Sequence, residues 1–227
     1  MEENLTRGVK TLLGDPKKAV LKLSGPMIIA MLVQALYNIV DGIWVAGLGS
    51  NALAAIGLFF PLFMVIISLA VGIGIGGSSA ISRKIGAKNK KMADSSASHT
   101  LLIGFVIGTL LSCSMFPFLK EIFASMGAKG EVLQSVVSYG RILVGGALIL
   151  VFSNISTGIL RGEGDTKRAM YAMILGSGLN IFLDPIFIYK FKLGIVGAAW
   201  ATLTSISVSY THLRAHETRH DLVCRLL

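Results

Sequence analysis

Two acidic residues lie inside long apolar stretches of this sequence and are its strongest candidates for chemistry. Asp41 precedes residues 42–82, which contain no Asp, Glu, Lys or Arg, and Asp184 follows an uncharged run over residues 169–183. An ionised carboxylate in a hydrocarbon environment costs about 3 kcal/mol. Such residues therefore usually face a cavity, where they act on ions or protons.

The composition indicates an all-α integral membrane protein. Charged residues make up 15% of the 227 residues and the mean hydropathy is +0.72, whereas soluble domains are about 25% charged. One bilayer crossing needs roughly 20 apolar residues, so the run over 42–82 must hold most of two spans. We predict an N-terminal segment over residues 1–23 and six spans over about 24–47, 52–81, 99–118, 134–160, 169–189 and 193–207.

Basic residues cluster in alternate connections between the predicted spans. Thirteen Lys and Arg residues lie before the first span and after the second and fourth, against four in the connections on the opposite side. Cytoplasmic segments carry the excess of Lys and Arg, so we predict a cytoplasmic N-terminus in a cell (inner or plasma) membrane. Topology thus explains the net charge of +9, and we expect the lipid bilayer rather than nucleic acid as partner.

Helix geometry places the two acids at similar depth. The first and fifth predicted spans run in the same direction, with Asp41 15 residues after Pro26 and Asp184 15 residues after Ala169. At 1.5 Å per residue, each acid lies about 22 Å along its helix, in the outer half of the bilayer. A shared site is therefore possible.

Polar residues accompany both acids at helical spacing. Asn180 lies four residues before Asp184, and Tyr37 lies four before Asp41, with Gln34 one further turn back. Thr202 lies nine residues into the sixth predicted span, about 14 Å from its outer end, and so approaches the same level. Carboxylate, amide and hydroxyl oxygens suit Na⁺ or a proton relay rather than a thiophilic metal.

Purely structural interpretations of these residues remain open. Asp41 would then cap a helix at the outer interface, and Asp184, followed by Pro185, would end a helix with its carboxylate in water. Asn154 in the fourth span is typical of hydrogen bonding between helices. Tyr139, near the outer end of that span, is typical of an interface anchor.

Residues 208–227 differ in character from the preceding sequence. They resemble the conceptual translation of a sequencing adapter, and we expect them to be a non-native tail that cuts the sixth span at about residue 207. The alternative is a metal-binding tail, supported only by the four-residue spacing of His212, His216 and His220.

Several motifs together resemble one known family. The turn Arg-Gly-Glu-Gly-Asp-Thr-Lys over residues 161–167, the Leu-Asp-Pro of residues 183–185 and the Leu-Gly-Ile-Val-Gly-Ala-Ala of residues 193–199 look like the N-terminal half of multidrug and toxic compound extrusion (MATE) transporters. Pro26, Gln34, Tyr37 and Asp41 look like the first span of its DinF-like branch. The resemblance covers roughly residues 15–206.

The resemblance implies a twelve-helix antiporter of two six-helix lobes that exports small amphipathic, often cationic drugs in exchange for H⁺ or Na⁺, without an organic cofactor. It also implies a cation site and a hinge in the first span at Pro26. A second hinge is expected at Pro185, because proline has no backbone N–H to donate to the helical hydrogen bonds. The sequence would then be an N-terminal fragment, without the C-terminal lobe and unable to transport alone. The implied cation-site residues are Asp41, Asn180, Asp184 and Thr202, with Gln34, Tyr37, Tyr139 and Asn154 around them.

Two other functional classes compete with this interpretation. A lipid-linked sugar flippase of the same superfamily would need a large basic cavity, for which Arg141 is the one cation we place within a span. A membrane enzyme would need a metal or nucleophile cluster, and the sequence shows none apart from the tail histidines. We therefore predict a transporter rather than an enzyme.

Overall fold

The protein is described by a computed structural model that covers residues 7–217, and within this range it contains helices and no strand. A single 3-10 turn (Phe116–Phe118) joins α4 to α5, and a π-helical turn (Ile186–Lys190) follows α8. The helices are α1 (Arg7–Leu12), α2 (Pro16–Ala46), α3 (Ser50–Gly86), α4 (Lys90–Met115), α5 (Leu119–Ser125), α6 (Gly130–Gly145), α7 (Ala147–Gly162), α8 (Thr166–Pro185) and α9 (Ile195–Glu217).

Four stretches of the described chain are long and apolar enough to cross a membrane. They are Pro16–Ala46, Ser50–Gly86, Lys90–Ser125 and Thr166–Lys190, and a fifth arises if the bent pair α6 and α7 counts as one span. The predicted sixth span corresponds to α9, which does not meet the same criterion. The serines, threonines and terminal polar residues of α9 lower its mean hydropathy, but these residues are still part of the helix.

Several predicted boundaries differ from the helices. α2 begins at Pro16 instead of residue 24, because the side chain of Asp15 accepts a hydrogen bond from the Lys17 N–H at 2.9 Å and caps the helix. α4 begins at Lys90 instead of residue 99, where Asn89 caps it by accepting from the Met92 N–H at 3.1 Å. Both helices extend through basic residues on the predicted cytoplasmic side.

The fourth predicted span is broken rather than continuous. α6 and α7 meet at Gly146 with a bend of 51°. A Cβ at Gly146 would lie 2.5 Å from a methyl carbon of Leu203, so the bend brings α9 close to the backbone at this point. Hydropathy predicted one continuous span over residues 134–160, because residues 142–160 contain no charged residue that would mark a break.

α9 continues past the predicted end of the sixth span at residue 207. The Ser209 hydroxyl donates to the Ala172 carbonyl at 2.6 Å, and the ring of Tyr210 packs edge-on against Phe152 at 5.9 Å. A helix propagates wherever backbone bonding and propensity allow, so a change in hydropathy does not end it. Of the proposed tail, residues 218–227 lie outside the described range.

Close packing of small residues joins the central helices. α3 packs along α7, α2 along α8, and α8 along α9. Gly158 lies against the backbone of Gly74, and Gly162 lies against the backbone of Ser78. Such contacts are typical of membrane helices, where van der Waals packing replaces the hydrophobic effect. Many large apolar side chains of α2, α3 and α4 remain exposed on the outside of the bundle, as expected of surfaces that face lipid.

We expect Gly158→Ala to destabilise the bundle by about 1–3 kcal/mol, because its Cβ would lie 2.8 Å from the Gly74 carbonyl oxygen. Thermal unfolding in lipid nanodiscs measures the effect. Gly72→Ala is the matched control, since a Cβ there meets nothing within 4 Å. Equal melting temperatures for both variants would contradict the close α3–α7 contact.

Candidate functional site

Asp184 and Asn180 form the buried centre of the site on α8. Their side chains are 0% and 2% exposed. In the amide orientation that satisfies both of its ends, the Asn180 nitrogen donates to Asp184 Oδ2 at 2.7 Å and its oxygen accepts from the Thr202 N–H at 3.1 Å. The amide therefore ties α8 to α9 while it positions the carboxylate.

Asp41 brings α2 to the same point. Its carboxyl group lies close enough to that of Asp184 for the two to hydrogen-bond. Two carboxylates are acceptors only, so this contact needs a shared proton or a cation between them. The Oδ1 atoms of both residues are buried and have no hydrogen-bond partner, which leaves lone pairs free for such an ion.

Tyr37 and Thr202 line the same site. The Tyr37 side chain lies within hydrogen-bonding reach of Thr202 and within electrostatic range of both acids. The Thr202 hydroxyl donates to the Ala198 carbonyl at 3.0 Å within α9. Oxygen atoms from three helices thus surround the carboxyl pair.

Tyr139 lies on α6, near the two acids. It is 8% exposed, within electrostatic range of Asp41 and Asp184, and its ring packs edge-on against Phe59 at 5.1 Å. This burial contradicts the interpretation of Tyr139 as an interface anchor.

Gln34 and Asn154 lie on the wall of a cavity of about 530 Å³. The Asn154 amide nitrogen donates to the Leu150 carbonyl at 2.9 Å, within its own helix. Tyr37, Asn180 and Thr202 also line the cavity, so the cavity reaches residues of the predicted cation site. Its lining also includes Ser78 on α3, Arg161 on α7 and Ala172 on α8, which lie toward the predicted cytoplasmic side of their helices.

The two predicted hinge prolines have different surroundings. α2 runs without interruption through Pro26. Pro185 closes α8, and the π-helical turn that follows bonds the Phe191 N–H to the Ile186 carbonyl at 2.9 Å. Proline cannot donate a backbone bond, and π turns often accompany functional sites, so irregular backbone begins one residue after Asp184.

Three features of the site were not predicted from the sequence. Tyr189 donates its hydroxyl hydrogen to the Trp44 carbonyl at 2.6 Å, with the two rings edge-on at 6.1 Å, so it links the end of α8 to the end of α2. Ser177 is 6% exposed on the cavity wall one turn before Asn180, a spacing that could have identified it. Arg161 lines the cavity, whereas Arg141 is exposed on the outside.

The chemistry of the site is that of oxygen ligands. Within residues 7–217 no group of three His, Cys, Asp or Glu side chains could hold a metal ion. The donor set of two carboxyls, one amide and one hydroxyl fits a proton or a small hard cation.

A bundle of membrane helices that encloses an acid pair beside a cavity of mixed polar and apolar lining is typical of multi-pass membrane transporters rather than enzymes. The sequence matches the MatE family over residues 26–186. The chain belongs to this family, and its fold is that of the N-terminal lobe of a MATE transporter.

Sequence relatives and a solved structure both support this assignment. The chain is 32% identical over 212 residues to a probable multidrug resistance protein of Bacillus subtilis, covering 88% of this chain and 46% of that protein. It is 32% identical to a multidrug export protein of Staphylococcus aureus, covering 83% and 42%. A solved MOP superfamily transporter from Pyrococcus furiosus superposes with a TM-score of 0.93 at 54% identity, over 97% of this chain and 49% of that one. The chain therefore spans about half the length of the relatives it matches.

Removal of the hydroxyl group in Tyr189→Phe should loosen the outer ends of α2 and α8, because the Trp44 carbonyl loses its donor. A hydrogen bond of this kind contributes about 1 kcal/mol. Hydrogen exchange over residues 41–49 measures the local effect. Tyr171→Phe is the control, since Tyr171 is 63% exposed. Unchanged exchange rates in Tyr189→Phe would show that the link carries no stability.

Proposed function

We propose that this protein belongs to a cation-coupled multidrug efflux antiporter in which Asp41, Asn180, Asp184 and Thr202 bind the coupling ion, H⁺ or Na⁺. The observation that carries the proposal is the side-by-side placement of the Asp41 and Asp184 carboxyl groups inside the helix bundle. Apart from the transported drug, the proposal needs only the coupling ion and no organic cofactor.

The acid pair gives the ion its binding energy. Two carboxylates at this distance repel each other in a medium of low dielectric constant, so they cannot both ionise without a compensating charge. One proton, or one Na⁺ held by the unpartnered Oδ1 atoms of both residues, removes the repulsion. The Asn180 amide keeps Asp184 in place in either case.

The shared wall of the site and the cavity gives the coupling. Tyr37, Asn180 and Thr202 contact the acid pair or its partners, and the same three residues line the cavity. Entry of the cation changes how α2, α8 and α9 pack, and this changes the shape of the cavity that the drug would occupy. A drug and the cation then favour different conformations, which is the requirement for exchange transport.

The proposed substrates are small amphipathic drugs, with cationic groups attracted toward the acid pair. The cavity combines apolar side chains such as Phe63 and Met64 with the hydroxyl and amide groups of its polar wall, as ligand pockets commonly do. The multidrug export proteins among the relatives agree with this class. The proposed orientation puts the N-terminus and the Arg161 end of the cavity in the cytoplasm.

Asp184→Asn and Asp41→Asn should each reduce drug efflux by about tenfold or more, which is within the usual range of coupling between two sites. The assay uses a chimera in which this chain replaces the matched half of the Pyrococcus furiosus transporter, expressed in cells without other drug pumps. Glu121→Gln removes an exposed acid and should leave efflux unchanged. Full cation-dependent efflux in Asp184→Asn would overturn the proposed site.

If Na⁺ is the coupling ion, its binding should stabilise the folded chain, and this effect can be measured without a transport assay. Replacing choline chloride by NaCl at constant ionic strength should raise the melting temperature in nanodiscs, because an ion that binds only the folded state stabilises it by about 2.7 kcal/mol at a hundred times its dissociation constant. Asp41→Asn and Asp184→Asn should lose the effect. A wild-type protein that melts identically in both salts would exclude Na⁺ and assign the proton as the ion.

A further inference from the structure

Arg161 places a permanent positive charge on the cavity wall, opposite the acid pair. Among the described residues that line the cavity none is acidic, and Arg161 is the basic one. Its guanidinium donates from Nη2 to the Met173 sulfur at 3.5 Å, which places the charge about seven residues, or 10 Å, from the level of Asn180 along α8.

The guanidinium lacks the partner that a half-buried cation usually has. Its Nε atom is buried without a hydrogen-bond acceptor, and a thioether sulfur is a weak acceptor. The ion pair found within residues 8–211 joins Arg168 and Asp165 and does not involve Arg161. A guanidinium normally binds a carboxylate or phosphate through two parallel hydrogen bonds.

A second unpartnered polar group lies on the same wall. Ser156 is 8% exposed, its hydroxyl has no hydrogen-bond partner, and it lines the cavity with Arg161 on α7. Ser156 and Arg161 are five residues apart on α7 and both line the cavity. A hydroxyl donor and a guanidinium are each suited to an anionic oxygen, which would supply the acceptor that both groups lack.

We propose that Arg161 and Ser156 form a subsite for the carboxylate of a zwitterionic amphipath, whose cationic group points toward the Asp41–Asp184 pair. This proposal rests on the use of the cavity as the substrate site and adds a selection for dipolar molecules. A zwitterion that pairs its carboxylate with Arg161 and turns its cationic group toward the acid pair behind the cavity wall satisfies both charges, whereas a purely cationic drug leaves Arg161 unpaired.

A matched pair of dyes tests the carboxylate subsite. Rhodamine 110 is a zwitterion, and rhodamine 123 is its methyl ester, so the two differ only in the carboxylate. Binding to the 227-residue chain in phosphatidylcholine nanodiscs is measured by fluorescence polarisation. We expect the zwitterion to bind about tenfold tighter, the contribution of one charge-assisted hydrogen bond.

Arg161→Gln should abolish the preference by weakening rhodamine 110 alone, and Ser156→Ala should reduce it. Arg83→Gln is the matched control. It also removes one positive charge on the predicted cytoplasmic side, but Arg83 does not line the cavity, so this variant should still bind rhodamine 110 more tightly than rhodamine 123. Anionic phosphatidylglycerol that displaces rhodamine 110 from wild type but not from Arg161→Gln would show that a lipid phosphate also occupies the subsite.

The outcomes separate this inference from the proposed function. Equal affinity of wild type for both dyes, or an unchanged preference in folded Arg161→Gln, overturns the carboxylate subsite and leaves the cavity as a drug site. Absence of saturable binding of either dye overturns the subsite and also the use of this cavity for drugs. Folding of each variant is checked by its melting temperature.

Discussion

The contact between the Asp41 and Asp184 carboxyl groups is the constraint on which the rest of the structure depends. A bare pair of carboxylates in lipid would be costly, so the helices that carry them must enclose them and supply donors. α2, α8 and α9 meet at this point, although Asp41 on α2 is separated from Asn180 and Asp184 on α8 by more than a hundred positions in the chain. The Asn180 amide is the central connector, because it holds Asp184 with one end and the backbone of α9 with the other.

The backbone is least regular around this contact. The π-helical turn begins just after Pro185, and α6 and α7 bend by 51° beside α9. By contrast, the contact between α3 and α7 is rigid, since Gly74 and Gly158 bring the two backbones together without space for a side chain. A closely packed pair of helices therefore supports one cavity wall, while irregular helix ends lie beside the proposed ion site. Rearrangement is easier where regular hydrogen bonding is already interrupted.

Charge is distributed unevenly along the cavity. The acid pair lies beyond the wall formed by Tyr37, Asn180 and Thr202, and Arg161 lies at the opposite end. Electrostatic interactions across such a cavity are less screened than in water, so each end influences the orientation of whatever enters. The exposed apolar surface of the outer helices meets lipid and leaves the polar groups concentrated inside.

The sequence alone determined the helical membrane class, because charge-free runs mark the spans, and the fixed rise per residue predicted a similar depth for the two acids. Spacing also identified Asn180 and Thr202 as residues at the level of the acids. Only the tertiary structure decided that the carboxyl groups face each other, that Arg161 rather than Arg141 enters the cavity, and that Tyr189 reaches Trp44. These features depend on the rotation of each helix about its axis and on its choice of neighbour, which hydropathy does not encode. The bend at Gly146 was missed for the same reason: local packing against Leu203 accompanies it, and no change in polarity along the chain marks it.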